Sequence, residues 1–334
     1  MNVSLSTMWG IGRFDHMADF ATRAESLGFC CVELNHQLSP AMLQQILSLH
    51  RRGGVTISSV HDPCPNGDGD SVQRPKVSDL DEDRRQAAVA TAQRTMELAA
   101  RVNARAVVLH VGDVSEMWSA ALELRQAYRE GRRRTPEYEY ALEAFKCELS
   151  VHAPRHLDAV ARSLEALIPY ARQRNLTLGL ENRYYVSEIP SVGQAVWLMD
   201  RVGDGVVGYW HDIGHAEVQE RLGFAAHRDW LATLGTRIVG VHLHDVDGIT
   251  DHQAAGLGDV DLGMVPGYLP CAALRVCEFD KRNSEEQVAA GLGLLAQLGY
   301  FSNGRDGLFT GRTGESQTDA HVSAIQSYAS PRAV

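Results

Sequence analysis

Short apolar runs alternate with longer stretches of helical periodicity along most of this chain. Residues 3–6, 30–35, 55–60, 106–109, 176–180, 206–212, 238–241 and 274–277 predict strands, because each is a brief, mostly apolar run bounded by turn-forming sequence. Helices are predicted between them over 14–27, 40–49, 79–102, 190–199, within 216–234, and over 285–298. In the first of these, Phe14, Met17, Phe20, Ala21, Ala24 and Leu27 fall on one face, and Gly28 supplies a stop. Ser39 followed by Pro40 marks the start of the second. A serine hydroxyl caps the free amides of a first turn, and proline has no amide to lose there.

Strands that alternate with helices pair in parallel, with the helices as crossovers. Eight such units over about 300 residues predict a closed (β/α)8 barrel, an α/β fold of the TIM type with its active site at the C-terminal strand ends. An open dinucleotide-binding sheet would carry a glycine-rich fingerprint after the first strand, and the sequence has none there. Residues 1–300 are assigned to the barrel, with a helical insertion at about 113–156 that precedes a crossover helix. The polar segment 62–75 and the glycine-rich segment 248–263 read as loops, and 301–334 as a poorly ordered tail.

The strand ends gather the chemistry. Glu33, His61, His110, Glu181, Asp212, His242 and Glu278 stand at seven of them. Alternation within strands puts Thr177, Gly179 and Glu181 on one face, as it does Ala106, Val108 and His110, and Val276 and Glu278. Small or apolar residues below and a ligand on top suit a packed barrel interior capped by a metal site. In 206–215 a strand stops at Asp212, Gly214 permits a turn, and His215 follows; a helix cap beside a surface histidine would give the same letters.

Charge and composition narrow the partners. A formal net charge of −10 disfavours a nucleic-acid backbone as the main partner. No apolar run reaches the length of about 20 residues that a membrane span needs. The start of the sequence lacks an export signal, and the six cysteines form no CxxC pair; a cytoplasmic protein with reduced thiols is expected. A small-molecule substrate is expected, and assembly into a homo-oligomer is allowed.

Val60-His61-Asp62, Leu109-His110-Val111-Gly112, Leu180-Glu181-Asn182, Asp212-Ile213-Gly214-His215, His242-Leu243-His244-Asp245, His252 with Gly256-Leu257-Gly258-Asp259, and Cys277-Glu278-Phe279 occur in this order. The set resembles the xylose isomerase-like barrel superfamily, which includes endonuclease IV and the sugar isomerases and epimerases grouped as AP endonuclease family 2. The resemblance implies that Glu181, Asp212, His242 and Glu278 hold one zinc, manganese or cobalt ion, and that His215 contacts substrate or supports a ligand. His61, His110, His215 and His252 match further ligands of the multi-zinc members. Thr250 stands where those members have the carboxylate that pairs with His252, with Asp251 one residue on.

Two reactions follow. The first is isomerisation or epimerisation of a sugar, sugar phosphate or polyol by proton transfer through a metal-stabilised enediolate. Glu181 and Glu278 would be acid and base, His215 a catalytic partner, and Arg183, Asn35, Glu33 and His244 substrate-binding residues. His211 and His244 also flank ligands and can support them. The second is hydrolysis of a phosphoester or amide, DNA excepted, by a multi-zinc centre that uses the extra histidines. The Thr250 gap favours the first reaction with one ion.

Overall fold

A computed structural model describes residues 3–65, 74–203 and 205–301. The expected tail at 302–334 and much of the 62–75 loop lie outside the described residues.

The chain order is β1 (Ser4–Ser6), α1 (Met17–Ser26), β2 (Cys31–Leu34), α2 (Pro40–Arg51), β3 (Ile57–His61), α3 (Glu82–Arg101), β4 (Ala106–Leu109), α4 (Trp118–Arg129) and α5 (Pro136–Gln173). It continues with β5 (Thr177–Glu181), α6 (Val192–Val202), β6 (Val207–Asp212), α7 (Ile213–Leu222), α8 (His227–Leu234), β7 (Ile238–Leu243), β8 (Asp245–Asp247), β9 (Thr250–Gln253), β10 (Leu274–Cys277) and α9 (Glu285–Gln297). Strands β1 to β7 and β10 close into a barrel in which every pairing is parallel. This is the (β/α)8 architecture expected.

The helices begin where the sequence supplies caps. The Ser39 hydroxyl accepts from Met42 N ahead of α2, and Ser191 and Ser284 form reciprocal capping boxes with Gln194 and Gln287. Leu178, Leu180, Val107, Leu109, Val241 and Leu243 are buried with the helices' apolar faces in the outer core. Inside the barrel a separate small cluster unites Ala106, Val108, Trp210 and Val276. The Trp210 indole fills the space that other strands leave empty. A Cβ added to Gly179 would meet it at 2.8 Å, and one added to Gly240 at 2.2 Å, so both positions need glycine for room. This plug forms the floor beneath the site.

Three expectations change. The stretch expected to hold an insertion at about 113–156 and then a separate crossover helix contains α4 and the single 38-residue α5, whose second half is itself the crossover. The one helix expected within 216–234 is two, because Gly223 adopts φ 87 and ends α7. The supposed loop 248–263 begins with the second strand of an antiparallel hairpin, β8–β9, set on the barrel's mouth just after β7.

Candidate active site

Each parallel strand delivers its last side chains to the same end of the barrel, and those ends meet over the Trp210 floor. One ligand atom from each of Glu181, Asp212, His242 and Glu278 lies within 4.8 Å of the others, and all four residues are buried. His242 is the hub. Its Nδ1 is 2.6 Å from Glu181 Oε1, 3.2 Å from Glu278 Oε2 and 3.5 Å from Asp212 Oδ2. Its other nitrogen, Nε2, faces Glu33 Oε1 at 3.1 Å. Glu33 thus accepts from Nε2–H, and with a cation in place of the Nδ1 proton His242 would turn its Nδ1 lone pair to the ion beside the three carboxylates, the tautomer a metal ligand needs.

The electrostatics follow from this packing. Burial works against the Glu181 carboxylate, but His110 and His242 outweigh it and hold the group well below the usual carboxylate range. Asp212 is likewise held low, burial being overcome by His215 and His244. Burial disfavours protonated His242, yet Glu278 and Glu33 raise it well above an ordinary histidine. Burial pushes Glu278 up to about 7, with His242 and His252 opposing. Four buried acids around one imidazole, three of them on its Nδ1 side, are costly alone and suit a bound cation. The donor set of three carboxylates and an imidazole therefore fits a divalent ion of the zinc, manganese or cobalt type.

Asp212 also caps α7, its Oδ1 accepting from His215 N at 2.7 Å. The expected cap is present, the histidine beside it is buried rather than on the surface, and the same carboxylate belongs to the four-residue cluster. The Asn182 amide ties β5 to the end of β6, accepting from Asp212 N and donating to Asp212 O. Tyr209 donates to the same Asn182 carbonyl oxygen, and His211 and His227 continue the buried chain behind it.

A second convergence lies beside the first. His215 Nδ1 faces the Asn182 carbonyl at 2.9 Å, and His252 Nδ1 faces the Glu278 carbonyl at 3.1 Å. Carbonyls only accept, so both rings carry their proton on Nδ1 and keep a lone pair on Nε2. Those two Nε2 atoms stand 3.7 and 3.5 Å from Asp251 Oδ2. Thr250 is exposed, and Asp251, the alternative one residue on, is the carboxylate that meets these two histidines. The left-handed backbone of His252, φ 57, accompanies this local shift. On the other flank His61 Nε2 and His110 Nε2 approach Glu181 Oε2 at 3.8 and 2.6 Å. Burial holds both of these histidines below their ordinary value, His110 at about 4.

The substrate-binding expectations divide. Arg183 lines the cavity, donating to Glu181 Oε2 at 2.5 Å and to Glu188 Oε1. Glu33, Asn35 and His244 do not line it and are corrected to supporting positions. Glu33 is fully buried between His242 and Ser59, Asn35 donates to Glu278 Oε1 at 2.8 Å, and His244 Nε2 sits 3.0 Å from Asp212 Oδ1. Sequence reasoning missed His36, whose ring meets His61 at a tilt and His110 edge-on and whose buried Nδ1 has no hydrogen-bond partner among the described residues. Its place just past the end of β2 was the available signal. Tyr184, Tyr185 and Glu188 also border the cavity, an open cleft of about 1330 Å³ that runs from Glu181 and Glu278 out along α3.

Residues 21–269 match the model of the xylose isomerase-like TIM barrel family. The chain belongs to that family. A D-tagatose 3-epimerase-like protein superposes with a TM-score of 0.61 at 18% identity, covering 89% of this chain and 97% of that one. A 3-keto-D-glucoside 4-epimerase from E. coli gives 0.62 at 16% identity, with 89% and 99% covered. A protein from Thermus thermophilus, soaked with ZnCl2, gives 0.56 at 21% identity, with 90% and 98% covered. At these identities the likeness is one of fold. No curated protein sequence matches the chain.

Proposed function

We propose that this chain is a divalent-metal-dependent sugar isomerase or epimerase that moves a proton on a carbon next to a carbonyl. The observation that carries the reading is the pair Glu181 and Glu278, which flank the same His242 nitrogen at the base of the cavity. Each has one oxygen pinned, Glu181 by Arg183 and Glu278 by Asn35. Pinning fixes the direction of each remaining oxygen, which is what a positioned proton donor or acceptor requires. Glu181, Asp212, His242 and Glu278 would hold the ion, and a bound divalent ion polarises a substrate's adjacent oxygens as a Lewis acid. Arg183 and His215, on the cavity wall, orient the substrate. The family's epimerase relatives support the substrate class.

The test is incubation of metal-loaded enzyme with a panel of ketoses and aldoses in D2O. Solvent deuterium at the carbon next to the carbonyl is expected, and Glu181→Gln and Glu278→Gln should both abolish it.

One observation favours a second reading, hydrolysis. The Asp251, His215 and His252 set could hold a further ion, and His61 joins Glu181 and His242 in another such group, with His110 beside Glu181. A multi-ion centre suits activation of water against a phosphoester or amide. Turnover of bis(p-nitrophenyl) phosphate that needs more than one ion per chain, with no deuterium in any sugar, would select it.

A further inference from the structure

Away from the cavity, at the opposite end of the barrel, Cys30 and Cys31 bring two sulfurs to 3.3 Å. Side chains of consecutive strand residues point to opposite faces. Cys30 precedes β2 rather than belonging to it, and this lets its thiol turn to the side of Cys31. Cys30 is exposed and Cys31 half-buried, and the Cys30 sulfur also approaches the Val3 carbonyl at 3.5 Å. Of the other cysteines, Cys64 and Cys277 are buried, and Cys147 and Cys271 are exposed with no second sulfur recorded beside them among the described residues.

We propose that Cys30 and Cys31 form a hydroperoxide-sensitive dithiol, in which Cys30 takes the oxidant and Cys31 resolves it to a vicinal disulfide. The Cys30 thiolate attacks one oxygen of the peroxide. A sulfur–oxygen bond forms, the oxygen–oxygen bond breaks, and hydroxide leaves, so sulfur is oxidised to sulfenic acid and peroxide is reduced. Cys31 then gives up its proton and attacks the Cys30 sulfur. The sulfur–sulfur bond forms as the sulfur–oxygen bond breaks, and the second hydroxide departs as water. Two thiols and one peroxide become one disulfide and two waters.

The contact itself prepares the roles. A hydrogen bond from Cys31 lowers the Cys30 thiol to about 6, against burial. The same bond, with burial, raises Cys31, which keeps it protonated until the sulfenic acid forms. Exposure, a low thiol pKa and an adjacent resolving sulfur are the general marks of a redox-responsive cysteine. The product is easily reopened. Neighbouring Cα atoms are about 3.8 Å apart, below the ~4.4–6.8 Å of ordinary disulfides, so the ring is strained and reducible.

The experiment treats the full chain with hydrogen peroxide in the presence of dimedone, alkylates the remaining thiols, and weighs the peptide that carries both cysteines. The wild type should lose two hydrogen atoms, carry no adduct, and recover both thiols with dithiothreitol. Cys31→Ala should stop at a dimedone adduct on Cys30, and Cys30→Ala should show none on Cys31. The Cys30–Cys31 pair should oxidise at a peroxide dose that leaves the exposed Cys147 and Cys271 reduced. A wild type that keeps both thiols while Cys147 and Cys271 oxidise at the same dose would overturn the proposal. So would a lasting dimedone adduct on wild-type Cys30, because Cys31 would then resolve nothing.

Discussion

Glu33 and Glu181 take opposite nitrogens of the same ring: Glu33 Oε1 is 3.1 Å from His242 Nε2, and Glu181 Oε1 is 2.6 Å from Nδ1. One glutamate faces the cavity and the other is sealed behind the imidazole. The buried one sets the tautomer and the angle at which His242 meets an ion. Glu33→Ala should therefore weaken divalent-metal affinity about 10–100-fold while the fold persists, and Glu33→Gln, which retains an acceptor, should weaken it less. Metal titration of the two variants checks the order. Equal affinity in wild type and Glu33→Ala would remove Glu33 from the account.

The barrel floor makes a prediction about stability. Gly240→Ala drives a methyl into the Trp210 ring and should cost about 1–3 kcal/mol by overpacking. Trp210→Ala empties the interior and should cost about 3–5 kcal/mol. Urea unfolding measures both. A neutral Gly240→Ala would mean that Trp210 does not fill the barrel as described.

Much of this was legible beforehand, and the reason is geometric. A parallel barrel turns a chemical function into a repeated sequence position, the strand end, so Glu181, Asp212, His242 and Glu278 could be read among seven strand-end residues, and the family resemblance singled out these four. The same logic cannot tell which strand-end residue reaches the cavity. Glu33 and Asn35 sit at the end of β2, but His242 and Glu278 stand between them and the open space. The choice between Thr250 and Asp251 stayed open in the sequence because counting back from Gly256 assumes a fixed loop, whereas the β9 hairpin and the positive φ of His252 bring Asp251 to His215 and His252. The hairpin escaped because Asp245-Val246-Asp247 is too short and polar to alternate. With Asp251 beside His215 and His252, the missing carboxylate no longer argues for a single ion.

A pH prediction follows from the dithiol. The Cys30 pKa is lowered from 9.0 to about 6, so its thiolate is present above that pH and lost below it. Its alkylation rate by iodoacetamide should rise to half its maximum near pH 6. Cys31→Ser keeps a donor, its hydroxyl a stronger one than a thiol, and Cys31→Ala removes it, so the midpoint should stay low in the serine variant and move up in the alanine variant. A midpoint that stays near 9 in the wild type contradicts the donor role of Cys31.

The two convergences predict separable ions. Asp251→Asn and His252→Ala should leave the ion held by Glu181, Asp212, His242 and Glu278 in place, because neither residue belongs to that set. Any second ion should vanish in both variants. If activity on a phosphoester falls with that second ion while the first remains, hydrolysis is the reaction the site performs.

The central claim is that Glu181, Asp212, His242 and Glu278 hold a divalent ion at the barrel mouth. Elemental analysis of metal per chain, on wild type and Asp212→Asn purified without chelator, tests it most directly. Asparagine is as good a helix cap as aspartate, so α7 and the fold should survive the change. The account predicts at least one tightly bound divalent ion per wild-type chain and its loss in a folded Asp212→Asn. Equal metal content in the two proteins, or a wild type that binds no ion even after loading, would contradict it.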